Sequence, residues 1–231
     1  MTQPLAPLHG SQYQPTWTPL DEYLWHSCDI IADVLEGHLN RRPLIATTAR
    51  LDPGEQVLAV GPGQRQTWRA LGDGNYSHNS VVAFGNPAFV IGSMVGAALG
   101  NSARRRQAAL DAQPRWVLDG PGEATITPRR VHFRHPTAGL DLDWAALSEA
   151  DLAAPDVFQA SFVNTHGQYW TVRIHTPWAS LMFVLAAINA FPAHPRLLAR
   201  SWLPPDFENR CAAMGRPCRP ATDLALQRHA T

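Results

Sequence analysis

The stretch that decides the fold runs from residue 140 to residue 191. In LDLDW (140–144), Leu140, Leu142 and Trp144 point one way while Asp141 and Asp143 point the other. FQASF (158–162) repeats the alternation, with Phe158, Ala160 and Phe162 set against Gln159 and Ser161. Beyond the turn residues Asn164, Thr165, His166 and Gly167, WTVRI (170–174) sets Trp170, Val172 and Ile174 against Thr171 and Arg173. A period of two bounded by turn residues predicts half-buried antiparallel strands. Thr176 and Pro177 then supply an N-cap and a first-position proline, and Trp178, Leu181, Leu185 and Ile188 follow at helical spacing. One common core is expected from Leu140, Leu142, Trp144, Phe158, Phe162, Trp170, Val172 and Ile174, covered by the four residues of the helix. A run of strands closed by a terminal helix predicts an α+β fold and points to no reaction.

Upstream, Thr18 and Pro19 predict another helix start, with Asp21 and Glu22 in the first turn where negative charge suits the macrodipole. Leu20, Tyr23, Leu24, Ile31, Val34 and Leu35 form its apolar stripe, ended by Gly37, Asn40 and Pro43. Leu51-Asp52-Pro53-Gly54-Glu55 reads as a turn, followed by strands over 56–60, 64–71 and 79–84. A helix opened by Asn86 and Pro87 runs to about Ala112, and strands follow over 115–118, 123–127 and 131–134. The organisation expected is an N-terminal arm and helix (1–42), a main domain (43–192) with an insertion at about 61–113, and a proline-rich C-terminal tail (193–231).

At 231 residues and 45% apolar content the chain can bury a sizeable core. Its charged fraction is 16%, against roughly 25% in typical domains. Nineteen basic residues, all arginine, balance nineteen acidic ones, so no global field steers nucleic acid, and self-association is favoured over a freely soluble monomer. Cys28, Cys211 and Cys218 have no zinc-type spacing and read as ordinary thiols. The first residues, Met1-Thr2-Gln3-Pro4, carry neither a basic nor an apolar leader region, so the expected location is the cytoplasm.

Four segments carry a family resemblance. Leu51-Asp52-Pro53-Gly54-Glu55 resembles the opening of bacterial pleckstrin-homology-like (PH-like) and GRAM-like domains. Residues 122–133 (GEATITPRRVHF) resemble their hairpin of a small residue, an apolar residue, Thr, and an Arg before an apolar residue and Phe. Residues 142–147 (LDWAAL) resemble the strand and turn that come next, and the helix from Thr176 matches the one that plugs the barrel end. The resemblance spans about 51–191 and implies an antiparallel β-barrel or sandwich capped by a C-terminal helix, here with an inserted and an N-terminal helix. It also implies a lipid-, peptide- or self-binding module without catalytic residues, an inference from fold alone.

Within the insertion, Ala88, Gly92, Gly96 and Gly100 recur every four residues. Each glycine costs a helix about 1 kcal/mol relative to alanine, so the stripe calls for close packing against another backbone, as a buried helix or an oligomer seam. Arg104, Arg105 and Arg106 follow, and with Arg129 and Arg130 they are candidates for anion or lipid contact.

Catalytic and metal motifs are lacking: there is no phosphate loop, no G-x-S-x-G elbow and no H-E-x-x-H. His132 and His135 lie three apart on a strand and leave opposite faces. Asp141 and Asp143 share a polar face without a third ligand nearby. The function expected is a non-catalytic binding or assembly module acting through self-association or a protein partner, with no cofactor and nucleic acid disfavoured. One alternative is a peripheral membrane adaptor binding anionic lipid through the glycine-striped helix and Arg104–Arg106. The other is an enzyme of unrecognised type, which would need Asp141, Asp143, His166 or His175 to converge in a polar pocket.

Overall fold

The computed structural model describes residues 16–72 and 106–227. Helix α1 (Pro19–Glu36) begins where its caps dictate. The Thr18 hydroxyl accepts the Asp21 backbone N–H at 3.2 Å, and the Asp21 carboxylate accepts the Thr18 N–H at 2.9 Å. Such a cap contributes about 1 kcal/mol. Gly37, at φ 73°, ends the helix in the left-handed conformation that a side chain disfavours.

Seven strands form one antiparallel, half-barrel sheet: β1 (Ala59–Arg69), β2 (Arg115–Ile126), β3 (Arg130–Arg134), β4 (Leu140–Asp143), β5 (Leu147–Ala154), β6 (Val157–Val163) and β7 (Tyr169–His175). Their order is β4-β3-β2-β1-β7-β6-β5. Helix α2 (Ala179–Ala190) packs on β5, on β6 and on the short 3-10 turn Trp144–Ala146. The α+β class expected from the alternation is therefore present. Leu142, Trp144, Phe158, Phe162, Val172, Ile174, Trp178, Leu181, Leu185 and Ile188 share one buried cluster, with Leu140 and Trp170 partly buried against it.

Several expected boundaries are corrected. The two strands expected over 56–60 and 64–71 are one strand, and those over 115–118 and 123–127 are another. Gly61-Pro62-Gly63 and Gly120-Pro121-Gly122, which read as breaks, lie inside the β1–β2 ribbon and overlap only where Gly63 pairs with Gly122. The prolines are tolerated because each occupies a locally unpaired margin. β7 joins β1 only from Gln64 onward, and β3 joins β2 only from Glu123. The glycines admit close neighbours: a Cβ at Gly122 would meet the Arg134 carbonyl and stand 2.7 Å from the Phe133 ring, and one at Gly61 would stand 2.7 Å from the Trp178 indole nitrogen. Because β1 and β2 stay paired out to Arg69 opposite Arg115, residues 61–69, expected to open an insertion, belong to strand β1.

Strand β5 was not expected at all. It is rich in Ala, Asp and Glu, and irregularities at Leu147/Glu149 and Leu152/Ala154 break its period of two. Helix α2 begins at Ala179, two positions after the expected Pro177. The Thr176 carbonyl and hydroxyl instead close a turn onto the N–H groups of Ala179 and Trp178. Every residue from Ala179 to Ala187 is buried, so the helix is covered on all sides.

The cover comes from α1 and from the proline-rich C-terminal segment, which packs on the core. It folds into α3 (Pro195–Leu198), α4 (Phe207–Ala213) and α5 (Ala221–Gln227). Its prolines act as helix openers: Pro195 begins α3 and Pro220 directly precedes α5. Leu197, Trp202, Leu203, Phe207, Ala221 and Ala225 join the main core. Arg210, Arg216 and Arg219 reach back to Asp21, Glu22, Asp29, Asp33 and Glu36 along α1.

Candidate interaction surface

The distal end of the β1–β2 ribbon is shaped by a bulge. Arg65 pairs with Gly120 and Gln66 with Leu118, which leaves Asp119 as the extra residue. The bulge turns the Asp119 carboxylate to the inner side of the sheet. There it accepts from the Thr67 hydroxyl at 2.5 Å and from Arg69 at 3.1 Å, and it faces the Arg65 Nε at 3.1 Å. The Arg65 and Asp119 side chains are only 5% and 4% exposed, and Arg65 also donates to the Ala138 carbonyl. With Asp119 fixed inward, Leu118, Gln66, Trp116 and Trp68 are held on the outer side.

Register carries this outer surface across four strands. Trp68 lies opposite Trp116 and Gln66 opposite Leu118; on the other flank Gln66 meets Arg173, and Tyr169 lies opposite Val163. Large apolar side chains occupy this face with high exposure: Leu118 59%, Tyr169 57%, Val163 56% and Trp68 46%. The Trp68 and Trp116 rings meet edge-on at 5.4 Å, and the Arg173 guanidinium lies 4.0 Å above Trp116 while donating to Gln159. An outward apolar patch across adjacent strands is what a partner would cover. The sequence reading missed it, although a signal was present: Trp68, Trp116, Leu118 and Tyr169 fall on the same parity as Gln66 and Arg173, where a solvated face would carry polar residues.

The residues singled out from the sequence fall elsewhere. Ala88, Gly92, Gly96, Gly100, Arg104 and Arg105 lie outside the described residues. Arg106 is exposed and opens the described helical residues 106–111. Arg129 and Arg130 are engaged by carboxylates. Arg130 holds Glu55 at 2.6 Å and Asp52 at 2.7 Å, and Arg129 holds Asp143 at 2.9 Å. Burial opposes ionisation of Glu55, but hydrogen bonds from Arg130, the Asp52 backbone and Thr127, together with the Arg130 charge, outweigh it. They hold its pKa at about 2.

Asp141, Asp143, His166 and His175 do not converge. The Asp141 carboxylate accepts from His132 Nδ1 at 2.8 Å, and Asp143 caps the turn at Ala145. His166 is exposed in the β6–β7 turn. His175 lines a recess of about 470 Å³ between α1 and the sheet, with Leu20, Tyr23, Pro62 and Pro121 among its walls. The His175 Nε2 is buried without a hydrogen-bond partner, and Tyr23, Asp156 and Thr176 line the same recess. Among the described residues, no three His, Cys, Asp or Glu side chains are grouped to hold a metal ion, and no helix is long and apolar enough to cross a membrane.

Compared with known proteins, the chain matches no protein-family model and no curated sequence.

Proposed function

We propose that this chain is a PH-like, non-catalytic binding or assembly module that joins a second copy of itself through the outer face of β2, β1, β7 and β6. The observation that carries this reading is the exposed patch of Trp68, Leu118, Tyr169 and Val163, with Trp116 and Arg173 stacked at its centre. Tryptophan, tyrosine and arginine are the residues that dominate binding energy at protein interfaces. Gln66 and Gln159 lie on the same parity and flank the patch with uncharged polar groups. A chain with zero formal net charge and few charged groups presents little repulsion to its own copy. The strand order β4-β3-β2-β1-β7-β6-β5, with a helix following β7 onto the sheet's inner face, supports the PH-like part of the reading.

The experiment is sedimentation velocity over a wide concentration range on the wild type, Trp68→Glu and Leu118→Glu. The wild type should shift to a heavier species with concentration, and both variants should stay monomeric while melting at nearly the wild-type temperature. A wild type that is monomeric throughout, or variants that still associate, would overturn the proposal.

A further inference from the structure

The recess of about 470 Å³ between α1 and the sheet has the size of a small-molecule site. Leu20 and Tyr23 line it from α1, Pro62 and Pro121 from the β1–β2 ribbon, and Pro177 from the turn before α2. Proline rings cannot swing in to fill it, and the Tyr23 ring is held edge-on against Trp178 at 4.8 Å. Gly63 and Gly122, paired with each other, contribute backbone rather than side chains to the lining. The walls are therefore apolar, and they are built from parts with little freedom to collapse.

The polar groups are few and of one charge. Among the described residues, Asp156 is the one formally charged member of the lining, and no arginine lines the recess to neutralise it. Asp156 is exposed, and its backbone is pinned because its carbonyl accepts the Thr176 N–H at 2.8 Å. His175, the residue before Thr176, pairs with Val157, the residue after Asp156. Its Nε2 is buried without a hydrogen-bond partner, and native folds leave few such groups unpaired. The start of α1, which would otherwise favour an anion, is already served: the Thr18 hydroxyl accepts the Asp21 N–H, and Asp21 and Glu22 supply negative charge there.

We propose that this recess binds a small organic cation, a protonated amine carried on an aromatic body. The aromatic body is buried against Tyr23 and the prolines, where removal of apolar surface from water drives binding. The ammonium donates to the Asp156 carboxylate in a charge-assisted hydrogen bond, and His175 is a further acceptor for its remaining N–H groups. A carboxylate on the same body would meet the Asp156 charge with no cation to offset it. The site lies several residues along the ribbon from the Trp68 patch, so it stands or falls separately from self-association.

The test is an NMR titration of the isotope-labelled chain with tryptamine, indole propionate and methylindole, which share one ring system and differ in charge. Tryptamine should shift the Tyr23, Gly63, Gly122 and His175 signals to saturation. It should bind at least about tenfold more tightly than either other probe, the ratio that one charge-assisted hydrogen bond supplies. Asp156→Asn, at an exposed position, should melt as the wild type does and lose about tenfold in tryptamine affinity. Indole propionate or methylindole binding as tightly as tryptamine would overturn the proposal. So would an Asp156→Asn variant of unchanged affinity, shifts confined to residues outside the recess, or no saturation at millimolar tryptamine.

Discussion

Replacing Asp119 by alanine should cost about 3–5 kcal/mol, the range for removing one partner of a buried ion pair. The Arg65 guanidinium is 5% exposed, and the carboxylate at 3.1 Å is its counterion. Without Asp119 it keeps hydrogen bonds to the Ala138 carbonyl and the Thr67 hydroxyl, neither of which carries charge. Arg69 is an internal control. It holds the same carboxylate at 3.1 Å but is 50% exposed, so Arg69→Ala should cost no more than about 1 kcal/mol. Urea titration at unchanged slope measures both losses. The double variant Arg65→Met with Asp119→Leu should recover most of the lost stability, because two apolar side chains avoid the desolvation penalty. A loss below about 1 kcal/mol for Asp119→Ala would mean that water reaches Arg65 and that the bulge does not bury the pair. A double variant as weak as the single one would refute the electrostatic reasoning.

Three further outcomes are expected. Glu55 has a folded pKa of about 2 against an ordinary 4.5, so the stability it contributes is present above pH 4.5 and is lost as pH falls toward 2. Acid titration of Glu55→Gln should therefore show lower stability at neutral pH and a shallower fall over that window; a wild-type-like acid slope would count against the Arg130 pairing. Gly122→Ala should destabilise by about 1–3 kcal/mol, because the new methyl meets Phe133 and the Arg134 carbonyl, and a thermal melt equal to wild type would contradict that contact. Arg219→Gln should speed limited proteolysis within 200–227 while the strands persist; unchanged cleavage would show that the arginine strap does not hold the segment down.

What the sequence made legible follows from local physics. Strands β4, β6 and β7 alternate because each turns its apolar residues toward the core, and the caps at Thr18 and Gly37 placed α1 correctly. The paired Gly-Pro-Gly segments were misread because their neighbours, Phe133 and Trp178, come from distant parts of the chain. Strand β5 was hidden by its small and acidic residues and by two irregularities in pairing. The strap was hidden because Arg210, Arg216 and Arg219 look solvated until α1 supplies their carboxylates. The outer patch depended on register: only the pairing of Trp68 with Trp116, and of Tyr169 with Val163, places those side chains together.

The claim that this outer face is covered by a second copy is tested most directly by hydroxyl-radical footprinting of side chains at low and high protein concentration. Leu44 and Leu198, both exposed and away from the patch, serve as references. The account predicts that labelling of Trp68, Leu118 and Tyr169 falls as concentration rises while Leu44 and Leu198 stay constant. Labelling of Trp68 and Tyr169 that does not change with concentration, whether high or already suppressed in the dilute monomer, would contradict it.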